Sequence, residues 1–461
     1  MKSGSTFFAD GLMSSQSTSK KRGSALSYSI GCPRARLETY FLEGALSFLQ
    51  GFLCRSLVEA WAVAGGHRWR TCLFSPLPTL LACLHKQLAP GTSCRDVEDW
   101  AASLLPPSET INAGDDFCEA RKRLPETVFL HALAHTAKLC SPASVWLVDG
   151  TALTLPRSAA NLQAFGLPHT KARMPNARLL LFSGAASGAI MQADITGCHE
   201  GEMRQFLRCL PNVPAGTTLV GDRQFCSYLA LCDVQRQGCH AVTRLNVLRK
   251  PVKVRPQGKG DEIQTWQKPR LKSSAFPEHI ARLPQFMEVR VVRCVLKRKG
   301  YRSVLLELAT TLLDAELWPV EKILDLYESR WRIEDDIRSL KLKHGLKMLT
   351  CKSEDTVRKE VWSALIAYNA VKVLQTQSGQ CPRDLSHERS RELISEMNSQ
   401  AVNALTATLP RIYQRLLKGL AKCRQRRQER PPCPRALAHD PKEYPLLRIT
   451  RQQWYANYHA A

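Results

Sequence analysis

Four side chains with chemistry to offer stand at fixed gaps between Leu324 and Gly345: Tyr327, Arg330, Glu334 and Lys341. The stretch has no proline and no internal glycine, and it is rich in good helix formers. It therefore reads as one helix. At roughly 100° per residue the four fall in a stripe about 60° wide. Leu326, Ile333, Ile337 and Leu340 form a neighbouring apolar stripe that pins the helix to a core. Glu328, Arg332, Asp335 and Asp336 are expected on the far side, in water, and Gly345 as the C′ residue that closes the helix. A carboxylate flanked by a phenol, a guanidinium and an ammonium suits a metal ion and a phosphate. On shape alone the same stretch is an amphipathic helix with a mixed-charge face. Carboxylates from elsewhere in the chain must decide between the two.

Two aspartates qualify by context. SVWLVDG reads as a short strand ending on Asp149, with a turn at Gly150. NARLLLFSG and AIMQADITG then form a hairpin about an AASG turn. TLVGDRQFCSYLALCDVQRQG gives a strand, Asp222 at its end, and a helix closing at Gly238, and HAVTRLN is a further strand. A lone aspartate at a strand end is usually a turn or cap residue. Asp149 and Asp222 stand out because Glu334 follows them on a helix.

Charge points the same way. The 461 residues carry 65 Lys and Arg against 41 Asp and Glu, a formal +24, which suits a polyanionic partner, nucleic acid by default. A hydrophobic content of 44% argues against global disorder. Seventeen cysteines without a C-x2-C pair read as reduced thiols. The N-terminus lacks the apolar core of a signal peptide, and Glu43, Gln50, Arg55 and Glu59 interrupt the apolar run near Tyr40 to Val63. No membrane partner and a cytoplasmic, nucleoid-associated location are expected.

Tyr-x2-Arg-x3-Glu-x6-Lys, preceded by VDGTALTLP with Asn161 and Phe165-Gly166 and then by VGDRQF, resembles the catalytic regions of the DDE transposases of the insertion-sequence-four family. The resemblance implies an α/β chain whose RNase H-like catalytic core, residues 141–380, carries an inserted β-rich subdomain at 245–315. It implies Asp149, Asp222 and Glu334 as catalytic metal ligands for Mg2+ (or Mn2+), in all two ions. Tyr327, Arg330, Lys341 and Arg223 become DNA contacts, and Trp266 an aromatic that stacks on a flipped base. The partners implied are double-stranded DNA, as terminal inverted repeats and target, and a second copy in a homodimer on DNA.

The remaining chain is expected to fall into a disordered leader (1–30), a helical N-terminal DNA-binding domain (31–140) and a basic helical C-terminal region (381–461). Residues 37–140 read as helices broken at Gly65-Gly66, at Pro76 and Pro78 and at PPSE, with a capped start at Thr92-Ser93 and Asp96. Residues 244–302 hold 16 Lys or Arg and 4 Asp or Glu, while 411–435 hold nine basic residues and one Glu. TVRKEVWSALIAYNAVKVLQ reads as a buried helix backing the core. Two other functions fit these residues: an RNase H-like DNA endonuclease that does not transpose, and a decayed element acting as a DNA-binding repressor.

Overall fold

A computed structural model describes residues 52–459 apart from 70–73, 90, 104–115, 141–143, 247–249, 271–275, 297–303, 403–407 and 426–448. The expected leader, the helix break at PPSE and the end of the basic C-terminal run lie outside the described residues.

Five helices come first: α1 (Arg55–Ala64), α2 (Pro76–Leu88), α3 (Cys94–Ser103), α4 (Phe117–Arg123) and α5 (Glu126–Leu139). Their limits follow local chemistry. Gly65 caps α1, and Gly66 takes the left-handed φ of 75° that glycine adopts without strain. Pro76 opens α2 rather than breaking it, because a first-turn residue needs no N–H. Ser93 and Asp96 cap α3 reciprocally, the Asp96 N–H donating to Ser93 Oγ at 3.1 Å. Pro125 divides the basic-apolar run that follows into α4 and α5.

A nine-stranded mixed sheet follows: β1 (Val145–Thr154), β2 (Asn176–Gly184), β3 (Ile190–Gly197), β4 (Thr218–Gly221), β5 (His240–Arg244), β6 (Lys253–Gly258), β7 (Asp261–Gln267), β8 (Phe286–Leu296) and β9 (Val304–Thr310), in the order β3-β2-β1-β4-β5-β9-β8-β7-β6. β1, β4 and β5 run parallel; the other neighbours pair antiparallel. The expected hairpin of β2 and β3 is present. The expected turn at Gly150 is not: β1 continues to Thr154, with Asp149 opposite Leu181 and Gly150 opposite Leu180. β2 offers a full-length partner, so the ladder carries the strand through the glycine. The basic insertion strands extend this same sheet, since β9 pairs directly with β5.

The other described helices are α6 (Ala159–Phe165), α7 (Glu202–Cys209), α8 (Tyr228–Arg236), α9 (Pro277–Ala281), α10 (Val320–Glu328), α11 (Trp331–Lys343), α12 (Glu354–Gln377), α13 (His387–Val402), α14 (Leu409–Leu420) and α15 (Arg451–His459). Strand alternation sends Leu147 and Leu153 into one core with α11 and α12, and Trp146 and Val148 into another with Phe206 of α7 and Tyr228 of α8. As expected, α12 is buried over most of its length. It ties the first helices to the sheet: Trp362 Nε1–H and Arg358 Nε–H donate to Glu126, and the Asn369 amide bridges the Ile190 backbone. Among the described residues no helix is long and apolar enough to cross a membrane, and the described cysteines are mostly buried.

Candidate active site

The stretch expected as one helix is two. α10 ends at Glu328 and α11 begins at Trp331, although Ser329 and Arg330 keep right-handed helical dihedrals. Ser329 Oγ–H donates back to the Leu326 carbonyl at 2.6 Å. The N–H groups of Arg330, Arg332 and Ile333 reach carbonyls three residues back rather than four. This tightened turn bends the axis but keeps the side chains on one side. Gly345, at φ 73°, ends α11 as expected.

The bend brings the reactive groups together from three elements. Arg330 lies between two carboxylates, 3.1 Å from Glu334 one turn on and 3.7 Å from Asp149 on β1. The parallel pairing of β1 with β4 runs out at Leu147 opposite Val220. Two residues further along each strand stand Asp149 and Asp222, on either side of the resulting gap. Asp149 Oδ1 accepts the Gly150 N–H, and Asp222 accepts the Gln224 N–H at 2.7 Å, capping a short 3₁₀ turn. Burial pushes the Asp149 carboxyl above its ordinary pKa. The Gly150 N–H and Arg330 oppose this, while the charges of Asp222 and Glu334 reinforce it.

Tyr327 is buried against Arg330, and burial raises its phenol pKa. Arg223 is exposed on the 3₁₀ turn after Asp222. Lys341 lies seven residues beyond Glu334, roughly 10 Å along the helix, where burial lowers its ammonium pKa. The guanidinium of Arg330 also lies over the exposed indole of Trp331, 4.5 Å from the ring centre.

Three residues escaped the sequence reading. Glu202, at the first position of α7, lies against Gly150 and is paired with Arg178 at 3.5 Å. A glutamate in a first turn reads as an ordinary helix-dipole partner, so nothing marked it. Arg244, at the end of β5, places its charge near the Tyr327 phenol. Asp336, expected in water, is only 2% exposed. It accepts from Ser183 Oγ at 2.6 Å, Tyr368 Oη at 2.9 Å and both Arg383 terminal nitrogens at 2.6 and 2.8 Å. The helix is covered on its back by α12 and the loop before α13, which a single amphipathic pattern does not reveal.

Trp266 also needs correction. Its side chain is fully buried between β7 and its neighbours, and its Nε1–H donates to Gln264 Oε1 at 2.8 Å. A fully buried indole has no surface to offer a base. The turn and basic residues beside it suggested exposure, but the β7–β8 register turns it inward opposite Met287.

The oxygen-only donor set of Asp149, Asp222 and Glu334 fits a hard divalent cation. A positive group already stands between two of them in Arg330. Among the described residues, the group whose ligand-type atoms all lie within 4.8 Å of one another is a different one, Glu98, Asp116 and Cys118, and there Asp116 caps α4 through the Glu119 N–H.

Residues 141–370, which contain all three carboxylates, match the family model Transposase DDE domain. This region belongs to the transposase DDE domain family. Over 202 residues the chain is 29% identical to transposase InsG for insertion sequence element IS4 of Escherichia coli (strain K12), covering 42% of this chain and 43% of that protein. The chain thus spans less than half the length of the curated relative it matches. Among solved structures, a piggyBac transposase synaptic complex with hairpin DNA superposes with a TM-score of 0.39 at 7% identity, over 85% of this chain and 87% of that one. That likeness is too loose to align site residues.

Proposed function

We propose that this chain is a transposase that cuts DNA at the ends of an insertion sequence and joins the freed ends to target DNA. In this reading Asp149, Asp222 and Glu334 hold two divalent ions, Mg2+ or Mn2+, in an RNase H-like core. The strand order β3-β2-β1-β4-β5, with β1, β4 and β5 parallel, supports that core. The observation that carries the reading is that Arg330 joins Asp149 of β1 to Glu334 of α11, with Asp222 at the end of β4 within electrostatic reach of Asp149.

Bound ions would polarise the attacking oxygen and stabilise the leaving one. The chain's own groups do the rest. Asp149 and Asp222 flank the gap, and Glu334 closes it from α11. Arg330, held in place by Tyr327 and Trp331, restrains two of the carboxylates and presents a planar donor set suited to phosphate. Arg223 and Lys341 neutralise flanking phosphates without reading sequence. The helices of residues 31–140 and the basic region 381–461 are assigned to duplex binding, with a homodimer bringing two ends together, in the cytoplasm at the nucleoid.

The test is incubation of the full chain with duplex DNA carrying the sequences that flank its own gene. The expected result is strand cleavage at the element ends with Mg2+ and none with EDTA. Cleavage indifferent to EDTA overturns the metal assignment; metal-dependent cutting at random positions favours a nuclease that does not transpose.

A further inference from the structure

The gap between β1 and β4 has a carboxylate on its other side as well. Glu202 opens α7, on the sheet face where Trp146 and Val148 pack, opposite the face that meets α11. Its carboxylate lies flat against the backbone of Gly150. A Cβ built there would come within 2.6 Å of Oε1, 2.7 Å of Cδ and 3.2 Å of Oε2. Any side chain at 150 would displace it. The glycine sits in an extended strand and needs no unusual dihedral, so its visible effect is to admit Glu202 beside Asp149. Arg178 holds the carboxylate at 3.5 Å through a half-exposed and weak contact. Asp222 and Asp149 both lie within electrostatic reach of Glu202. Asp149, Asp222 and Glu202 thus share one gap, with Arg330 beside Asp149 and Arg178 beside Glu202.

We infer that Glu202 is a fourth carboxylate of the metal site, entering the β1–β4 gap over Gly150 from the face opposite Glu334. This rests on the reading of Asp149, Asp222 and Glu334 as ligands of divalent ions. Carboxylates from both faces would enclose the gap, with Asp149 central, Glu334 and Arg330 on one side, and Glu202 and Arg178 on the other. A hard cation needs about six oxygen ligands, so a fourth carboxylate replaces water that three would leave exposed.

The experiment uses the full-length chain and two readouts besides activity. The first is Mn2+ binding followed by electron paramagnetic resonance. The second is backbone scission by Fe2+ and ascorbate, which cuts next to a bound ion. The wild-type chain is expected to be cut near Gly150, Asp222 and Gly201-Glu202. Glu202→Gln should weaken Mn2+ binding at least tenfold and lose the cut at Gly201-Glu202, with its melting temperature unchanged. Gly150→Ala should reproduce the binding defect with Glu202 still present. Arg178→Gln separates this role from a plain surface ion pair, because it frees the carboxylate and should leave Mn2+ affinity equal or higher. Wild-type affinity and a wild-type cutting pattern in Glu202→Gln would overturn the inference. Loss of all binding in Asp149→Asn with no effect in Glu202→Gln would retain the three-carboxylate site and remove Glu202 from it. Failure of the wild-type chain to bind Mn2+ or to be cut would overturn the metal site itself.

Discussion

Glu334 and Asp336 are two residues apart on α11 and live in opposite environments. Glu334 faces the gap with 40% of its side chain exposed, held among the described residues by Arg330, which it shares with Asp149. Asp336 faces the body of the protein, 2% exposed, with hydroxyls and a two-pronged arginine meeting its oxygens. Arg383, its main partner, also donates to the carbonyls of Gly184, Ala185 and Arg332. Asp336 thus fastens α11 to the end of β2 and to the loop before α13. One carboxylate is saturated and structural; the other keeps its oxygens available. Saturation, rather than residue type, separates an anchor from a candidate ligand.

The largest effect expected on this contrast is from Asp336→Ala. It leaves Arg383 buried without its partner, and a broken buried pair costs about 3–5 kcal/mol. Denaturant unfolding should show a strong loss of stability. A loss below about 1 kcal/mol would mean that Asp336 is not the anchor of α11.

A second effect belongs to the same back face. His344 and His387 meet through their Nε2 atoms at 2.8 Å, both fully buried. Burial lowers the pKa of His344 from 6.5 to about 3 and that of His387 well below its ordinary value. A base whose folded pKa is depressed supplies stability above its unfolded pKa and loses it as pH falls. Between pH 6.5 and pH 5 the two groups together should cost the chain about 3 kcal/mol, and His387→Gln should flatten that slope. An unchanged slope would place the acid sensitivity elsewhere.

On the front, Lys341→Ala should flatten the slope of log affinity against log salt by about 0.9, the contribution of one phosphate on duplex DNA. An unchanged slope would make Lys341 a solvated helix charge. Smallest of all, Glu334→Gln should change stability by under about 0.5 kcal/mol, as exposed substitutions do. A loss comparable to that of Asp336→Ala would erase the distinction between the two faces.

Much of this was legible in the sequence because local rules govern it. The capping pair Ser93 and Asp96, the β2–β3 hairpin, Asp222 just past a strand, and Gly345 at a helix end each depend on a few neighbouring residues. What was not legible depends on distant partners. Asp336 looked solvent-facing because its cover comes from β2, α12 and the loop before α13. Trp266 looked exposed because its neighbours are polar and basic, while the cross-strand register buries it. Gly150 looked like a turn because nothing nearby announces the partner strand β2 or the glutamate from α7. The bend at Ser329 depends on a side-chain hydroxyl bonding to its own helix, which an otherwise unbroken run of helix formers conceals.

The central claim is that the front-face carboxylates serve chemistry and the back-face one serves the fold. The most direct test is Mg2+-dependent cleavage of the chain's own flanking DNA by Glu334→Gln protein whose melting temperature and DNA affinity match the wild type. Loss of cleavage in that folded, DNA-bound protein is the predicted result. Cleavage at the wild-type rate would contradict it and remove Glu334 from the site.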